Sequence, residues 1–297
     1  MNTVRAHLVD GTYELFRHHF GTPPDVRARS PRTAATRGVL HSVLTLMEDG
    51  ATHVGVATDH VIESFRNQLW PGYKDGSGVD PDLLAQFPLL EEALEAMGVR
   101  VWAMVDLEAD DALASAAVVC AEDPEVAQVV ICTPDKDLGQ CVVGDRVVQL
   151  DRRKGVVSDE AAVVARYGVG PVSIPDWLAV VGDSADGFPG LPGWGAKAAS
   201  AVLGRYRHLE DVPRIAERWD VDVRGARSLA NTLAQQWDRA LLFRDLATLR
   251  VDRSLLASVD ELRWPGPTDG LTAVCEHLDA PGLEPRARAL AAARAVP

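Results

Sequence analysis

The chain is poor in cysteine, lysine and aromatic residues, and each shortage excludes something. Four cysteines in 297 residues, none in a C-x-x-C pair, exclude a disulfide scaffold and the usual zinc knuckles. Cys120, Cys132, Cys141 and Cys275 lie mostly in apolar runs and read as buried free thiols in a reducing compartment. No apolar run is long enough to span a bilayer, and the first eleven residues lack signal-peptide architecture, so a cytoplasmic location without membrane contact is expected. There are only four lysines. Positive charge is the scarcer sign: 30 Lys and Arg stand against 43 Asp and Glu, a net charge of -13. That excludes a globally basic nucleic-acid binder but leaves room for a basic face.

Composition is otherwise that of a globular protein, with 47% hydrophobic and 25% charged residues. The length fits about two domains. The acidity is uneven. Residues 41–186 carry nine basic against 26 acidic groups, whereas 187–250 carry ten basic against seven acidic. Most such carboxylates form a solvated surface, so the question is whether a subset converges.

The first ~150 residues alternate strand-like and helix-like patterns. Residues 6–9, 52–58, 99–105 and 126–133 read as strands. Residues 34–49, 81–97 and 109–121 read as helices, the second opening on Pro81 and stopping at Gly98. This alternation predicts an α/β fold with a mostly parallel central sheet flanked by helices. Ligands of such sheets bind at the carboxyl ends of the strands. Asp10, Asp59 and the pair Asp135 and Asp137 each follow a predicted strand, and Glu108, Asp110 and Asp111 follow the third. One Asp after a strand is most often a turn or helix-capping residue. Four such coincidences on one edge suggest a site. Clustered carboxylates raise one another's pKa values unless a cation intervenes, and without His or Cys among them Mg²⁺ or Mn²⁺ fits better than Zn²⁺. Paired ions on carboxylates are the usual apparatus for in-line phosphodiester cleavage.

Residues 182–204 add Asp183 and Asp186, whose spacing suits one face of a helical turn. A tight hairpin follows, Pro189-Gly190-Leu191-Pro192-Gly193-Trp194-Gly195, and then a strong helix, 196–203, with Lys197 in its first turn. Gly190, Gly193 and Gly195 would leave backbone N–H groups open to a phosphate, so this string reads as a helix–hairpin–helix that grips a DNA backbone without reading its sequence. Trp194 reads as a packing residue. Residues 158–181 and 205–250 read as helices framing the hairpin, and 251–297 ends in an Ala/Arg helix.

Taken together, Leu8-Val9-Asp10-Gly11, Asp59 with Ser64-Phe65-Arg66, Tyr73-Lys74, Glu108-Ala109-Asp110-Asp111, Thr133-Pro134-Asp135-Lys136-Asp137-Leu138 and Gly182-Asp183-Ser184-Ala185-Asp186 through Gly195 resemble the bacterial 5′-3′ exonuclease and flap endonuclease family, in order and spacing over about residues 4–250. The resemblance implies a PIN-like catalytic domain over 1–157, with a helical arch at about 60–98. It also implies a helix–hairpin–helix DNA-binding domain over 158–255 and a helical extension over 256–297. Asp10, Asp59, Glu108, Asp110 and Asp111 would form a first metal site, and Asp135, Asp137, Asp183 and Asp186 a second. Arg66, Lys74 and Arg17 would contact phosphate. Carbonyls near Leu191, Gly193 and Gly195 would hold a potassium ion.

The activity implied is a two-metal, structure-specific 5′ nuclease acting in replication or repair on DNA with 5′ ends, flaps or junctions, as a stand-alone monomer whose partner proteins the sequence does not name. One departure stands out: the family commonly carries Arg three residues after the Tyr-Lys pair, and here Ser77 takes that place. A weakly active or non-catalytic junction-binding paralogue, or an RNase of the related PIN-like type, are the competing readings.

Overall fold

The computed structural model describes residues 4–295, which form two compact units. The first comprises residues 4–62, 76–133 and 251–295. The second comprises 63–75 and 134–250.

The first unit is built on four parallel strands: β1 (Val4–Asp10), β2 (His53–Asp59), β3 (Arg100–Met104) and β4 (Val126–Cys132), in the order β3-β2-β1-β4. All seven residues of β2 are buried, as expected for a strand flanked on both sides and covered on both faces. The helices Gly11–Gly21, Ala34–Glu48 and Ala109–Glu122 provide the cover. Val39, Leu40, Val43, Leu44 and Met47 repeat at helical spacing along the second of these and are all buried. The four strands and the helices Ala34–Glu48 and Ala109–Glu122 match the sequence expectation to within a few residues, whereas the helix Gly11–Gly21 is not among those expected.

Three differences in this unit have local causes. The expected helix 81–97 divides into Pro81–Leu84 and Gln86–Ala96 around Ala85. Pro88, near the start of the second piece, has no N–H to return to the preceding turn. That second piece buries Phe87, Leu90 and Leu94 in the core, so residues 86–96 are a core helix instead of part of an arch. Residues 251–295 are no appendage either. Trp264 Nε1 donates to the Met97 carbonyl, Arg37 donates to the Leu278 carbonyl, and Arg286 forks onto Glu48.

The second unit is mainly helical. It opens with the short helix Phe65–Leu69, and its second segment carries an antiparallel hairpin, β5 (Val147–Asp151) and β6 (Val156–Ser158), which the sequence reading did not include. The helices Glu160–Tyr167 and Ile174–Val181 follow, separated at Gly168, whose φ of 72° ends the first. After the hairpin segment come Ala196–Tyr206, Ala226–Gln235 and Trp237–Ala247. Phe188, Leu191, Trp194 and Phe243 lie in one apolar core with Leu178, Leu203 and Leu233. Trp194 is the packing residue expected, and its Nε1 donates to the Leu229 carbonyl. The compact units divide after Thr133, earlier than the expected boundary at 157, and residues 63–75 join the second. The early division follows from Gln140, which ties the turn after β4 to the helix Trp237–Ala247 by donating to the Ala247 carbonyl and accepting from Leu249 N.

Candidate metal centre

The nine carboxylates singled out from the sequence fall five in the first unit and four in the second. In the first unit they stand where the parallel strands end. Asp10 closes β1 and caps the helix after it, its Oδ1 accepting from Tyr13 N at 2.7 Å. Its Oδ2 accepts from the Thr133 hydroxyl, just past β4. Asp59 closes β2, and its Oδ1 accepts from Ala109 N at 2.7 Å, which ties it to the start of the helix after β3. Its own N–H donates to the Thr12 hydroxyl. Glu108 and Asp111 form a reciprocal capping box at that helix start. Asp10, Asp59, Glu108 and Asp111 are buried and Asp110 is half-buried. The parallel topology therefore delivers all five to one sheet edge, and four of them also serve as turn or capping residues.

In the second unit three carboxylates come much closer. Among the described residues, Asp137, Asp183 and Asp186 each place an oxygen within 4.8 Å of the others. Asp137 opens a short 3-10 turn, Asp137–Cys141. Asp135, exposed beside it, accepts from Asp137 N, and Gln149 of β5 donates to the Asp135 carbonyl. Gln140 Nε2 donates to the Asp137 carbonyl and steadies the turn. Sequence reasoning passed over Gln140, because a single Gln carries no motif.

Asp183 and Asp186 are not on a helical face. The helix Ile174–Val181 stops at Gly182, with a φ of 89°, and Asp183 to Phe188 closes a tight loop through Asp183 N to Phe188 O and Phe188 N to Asp183 O. Asp183 Oδ1 accepts from Ala185 N inside that loop. The loop, instead of a helical turn, turns both carboxylates to one side.

The electrostatics are those of an acidic pocket. Burial, and after it the charges of Asp135 and Asp186, push the Asp137 carboxyl well above the usual aspartate range, while Lys136 alone opposes them. Asp137 Oδ1 and Asp183 Oδ2 are buried and accept no hydrogen bond of good geometry. All-carboxylate oxygen donors with unspent lone pairs suit a hard divalent ion.

The raised Asp137 pKa has a consequence for stability. The folded chain holds this proton more tightly than the unfolded chain. The stability so gained is present below the unfolded aspartate pKa and is lost as pH rises through the folded one. Thermal melts without metal are therefore expected to show the wild type losing stability relative to Asp137→Asn as pH is raised from about 4 to about 8. Saturating Mg²⁺ is expected to reverse the order at the upper end.

The basic residues divide. Lys74 reaches the trio: its Nζ lies 3.2 Å from Asp186 Oδ1, and its N–H donates to the Asp186 carbonyl. Arg66 corrects the expectation of a phosphate contact. It is 1% exposed, with Nε donating to the Leu246 carbonyl and a terminal nitrogen to the Thr248 carbonyl, so it clamps the end of the helix Trp237–Ala247. Arg17 is also committed, in an ion pair with buried Glu14 that extends toward Ser42.

In the hairpin, Gly193, Gly195 and Lys197 are exposed, whereas Gly190 is buried among backbone atoms: a Cβ there would lie 2.4 Å from Gly182 N. Gly190 is thus a packing residue and not a surface for phosphate. Of the carbonyls expected around potassium, that of Leu191 accepts from Trp194 N and that of Gly195 from Ala199 N.

Two family models match the chain over residues 5–269. The first, a 5′-3′ exonuclease N-terminal resolvase-like domain, covers residues 5–168, and the second, a 5′-3′ exonuclease C-terminal SAM fold, covers 169–269. The chain belongs to the 5′-3′ exonuclease family. DNA polymerase I of Pseudomonas aeruginosa is 32% identical over 279 residues, an alignment covering 87% of this chain and 28% of that protein. The exonuclease chain thus spans little more than a quarter of the curated relatives it first matches. Among solved structures, the T5 D15 protein co-crystallised with metal ions superposes with a TM-score of 0.63 at 16% identity, over 96% of this chain and 98% of that one. The catalytic core of Rad2 with a DNA substrate gives 0.63 at 14% identity, over 93% and 87%. These likenesses establish the fold: a PIN-like resolvase domain and a helical SAM-fold domain. No described helix is long and apolar enough to cross a membrane.

Proposed function

We propose that this 5′-3′ exonuclease family member hydrolyses DNA phosphodiesters near 5′ ends and flaps with divalent ions. The observation that carries this reading is the trio of buried Asp137 and Asp183 with half-buried Asp186, whose oxygens lie within 4.8 Å of one another and are faced by the ammonium groups of Lys74 and Lys136. Such a set is strongly self-repelling alone and fits a hard cation. Bound there, Mg²⁺ or Mn²⁺ would lower the pKa of water and stabilise charge on the phosphodiester oxygens. Asp10, Asp59, Glu108, Asp110 and Asp111 are proposed to hold a further ion, with Asp135 supporting the trio.

Lys74, beside Asp186, is proposed to offset charge that develops on the phosphate. Lys74→Ala is expected to lower kcat on a 5′-flap duplex by about 10²-fold with little change in KM, measured under single-turnover and steady-state conditions. Exposed Gly193, Gly195 and Lys197 at the start of the helix Ala196–Tyr206 are proposed to meet the DNA backbone, with a potassium ion near the Leu191 carbonyl. Few cationic contacts on an acidic protein imply modest affinity for DNA with a shallow salt dependence. DNA with 5′ ends or flaps, a monomeric state and a cytoplasmic site of action complete the proposal.

The test is cleavage of a 5′-labelled flap duplex with Mg²⁺, with Mn²⁺ and with EDTA, using Asp135→Asn as a weakened control. Metal-dependent release of short 5′ products supports the reading. Tight flap binding without any metal-dependent product refutes it.

A further inference from the structure

Lys136 is one of only four lysines, and it sits inside the carboxylate trio. Its Nζ pairs directly with Asp183 Oδ2 and lies 3.7 Å from Asp137 Oδ1. These are the same two oxygens that accept no hydrogen bond of good geometry. The side chain is only 30% exposed, held between Asp135 and Asp137 by the turn that Asp135 caps. Lys74 approaches the third member, Asp186, from a different segment.

We propose that Lys136 is a built-in counter-cation, which fills the divalent-ion position when no ion is present and is displaced when one binds. The proposal rests on the metal reading above and deepens it. An ammonium and a divalent ion repel strongly at such range, so both cannot engage Asp183 Oδ2 and Asp137 Oδ1 together. Each state therefore opposes the other. The lysine keeps the metal-free acidic cluster from forcing the Asp183 loop open, and it lowers the trio's affinity for metal by the worth of its own pairing. The residue thereby sets the metal concentration at which this part of the site fills. It is a positioning residue, since no reacting atom need touch it.

The experiment is Mn²⁺ titration of the full chain by calorimetry, with melting temperatures in EDTA and in saturating Mn²⁺, for the wild type, Lys136→Met and Asp183→Asn. Lys136→Met is expected to tighten Mn²⁺ binding by roughly three- to tenfold while lowering the metal-free melting temperature. Saturating Mn²⁺ is expected to erase the deficit. The opposed signs are the signature: a merely structural lysine would weaken both.

Unchanged or weaker Mn²⁺ binding by Lys136→Met overturns the proposal when Asp183→Asn still removes an ion from the wild-type stoichiometry. If Asp183→Asn binds as many ions as the wild type, the metal reading itself fails and the proposal falls with it. Should Lys136→Met not fold, the wild type serves alone. Its four lysine ε-methylene signals, resolved by ¹³C labelling, are expected to include one that shifts strongly on adding Mg²⁺. That signal is assigned to Lys136 through Lys74→Arg, Lys154→Arg and Lys197→Arg. A Lys136 signal unmoved by saturating Mg²⁺ overturns the proposal.

Discussion

Asp183→Asn is expected to lower the proposed Mg²⁺-dependent cleavage of a 5′-flap duplex by about three orders of magnitude while leaving the fold intact. The magnitude follows from losing a charged ligand to an ion that stabilises transition-state charge by several kcal/mol. The intact fold follows from the geometry of the loop. Asp183 Oδ1 accepts from Ala185 N, and an asparagine carbonyl oxygen accepts there equally well. The backbone bonds between Asp183 and Phe188 do not involve the side chain. Removing one charge also relieves the repulsion on Asp137, which Asp183 helps to raise. A parallel Asp10→Asn variant is expected to lose activity to a similar degree, because Asp10 belongs to the set proposed to hold a further ion. Full activity in either variant, by product ladder over a time course, would count against the assignment of that set.

Gly190→Ala is expected to destabilise the second unit by about 3–5 kcal/mol. The residue has a φ of 68°, a region costly for any residue with a Cβ. A Cβ there would meet Gly182 N at 2.4 Å, Val181 C at 2.5 Å and the Val180 carbonyl oxygen at 2.6 Å. All three are backbone atoms at the end of the helix Ile174–Val181, so no side-chain rotation offers relief. Leu191 N, the next residue, donates to the Val180 carbonyl and would be pulled from it.

Gly193→Ala is the natural comparison. Its φ is 82°, but an added Cβ meets only Leu229 Cδ2 at 3.8 Å. It is expected to cost about 1–2 kcal/mol of strain and to show its effect, if it contacts DNA, in affinity. Urea unfolding followed by circular dichroism separates the two. Equal midpoints for Gly190→Ala and the wild type would refute the packing role.

Much of this arrangement was legible because it is written in short-range patterns. Alternating strands and helices fix a parallel sheet, and a parallel sheet places the residues after Val9, Thr58 and Val105 on one edge. That is why Asp10, Asp59 and Glu108 could be named without coordinates. The trio was legible only as a list. Asp137 lies 46 positions before Asp183, and their meeting depends on tertiary packing such as the tie of Gln140 from the Asp137 turn to the Ala247 carbonyl, a long-range contact with no periodicity.

Basic residues were the least legible. An Arg that contacts phosphate and an Arg that clamps carbonyls look alike in sequence. The burial of Arg66 and its bonds to Leu246 and Thr248 separate the two. Lys136 was visible throughout as part of the string Asp135-Lys136-Asp137, yet spacing says nothing of where its ammonium goes. The helical reading of Asp183 to Asp186 failed because Gly182 and Gly187, both at positive φ, bracket a loop that closes more tightly than a helical turn.

The central claim is that Asp137, Asp183 and Asp186 hold a divalent ion in place of Lys136. A crystal of the full chain soaked in Mn²⁺, with anomalous differences measured at the manganese edge, tests it most directly. The expected result is a peak bonded to oxygens of all three carboxylates at about 2.1–2.2 Å, with the Lys136 ammonium withdrawn from Asp183. Saturating Mn²⁺ that leaves no peak among them, with Lys136 still seated on Asp183, would contradict it.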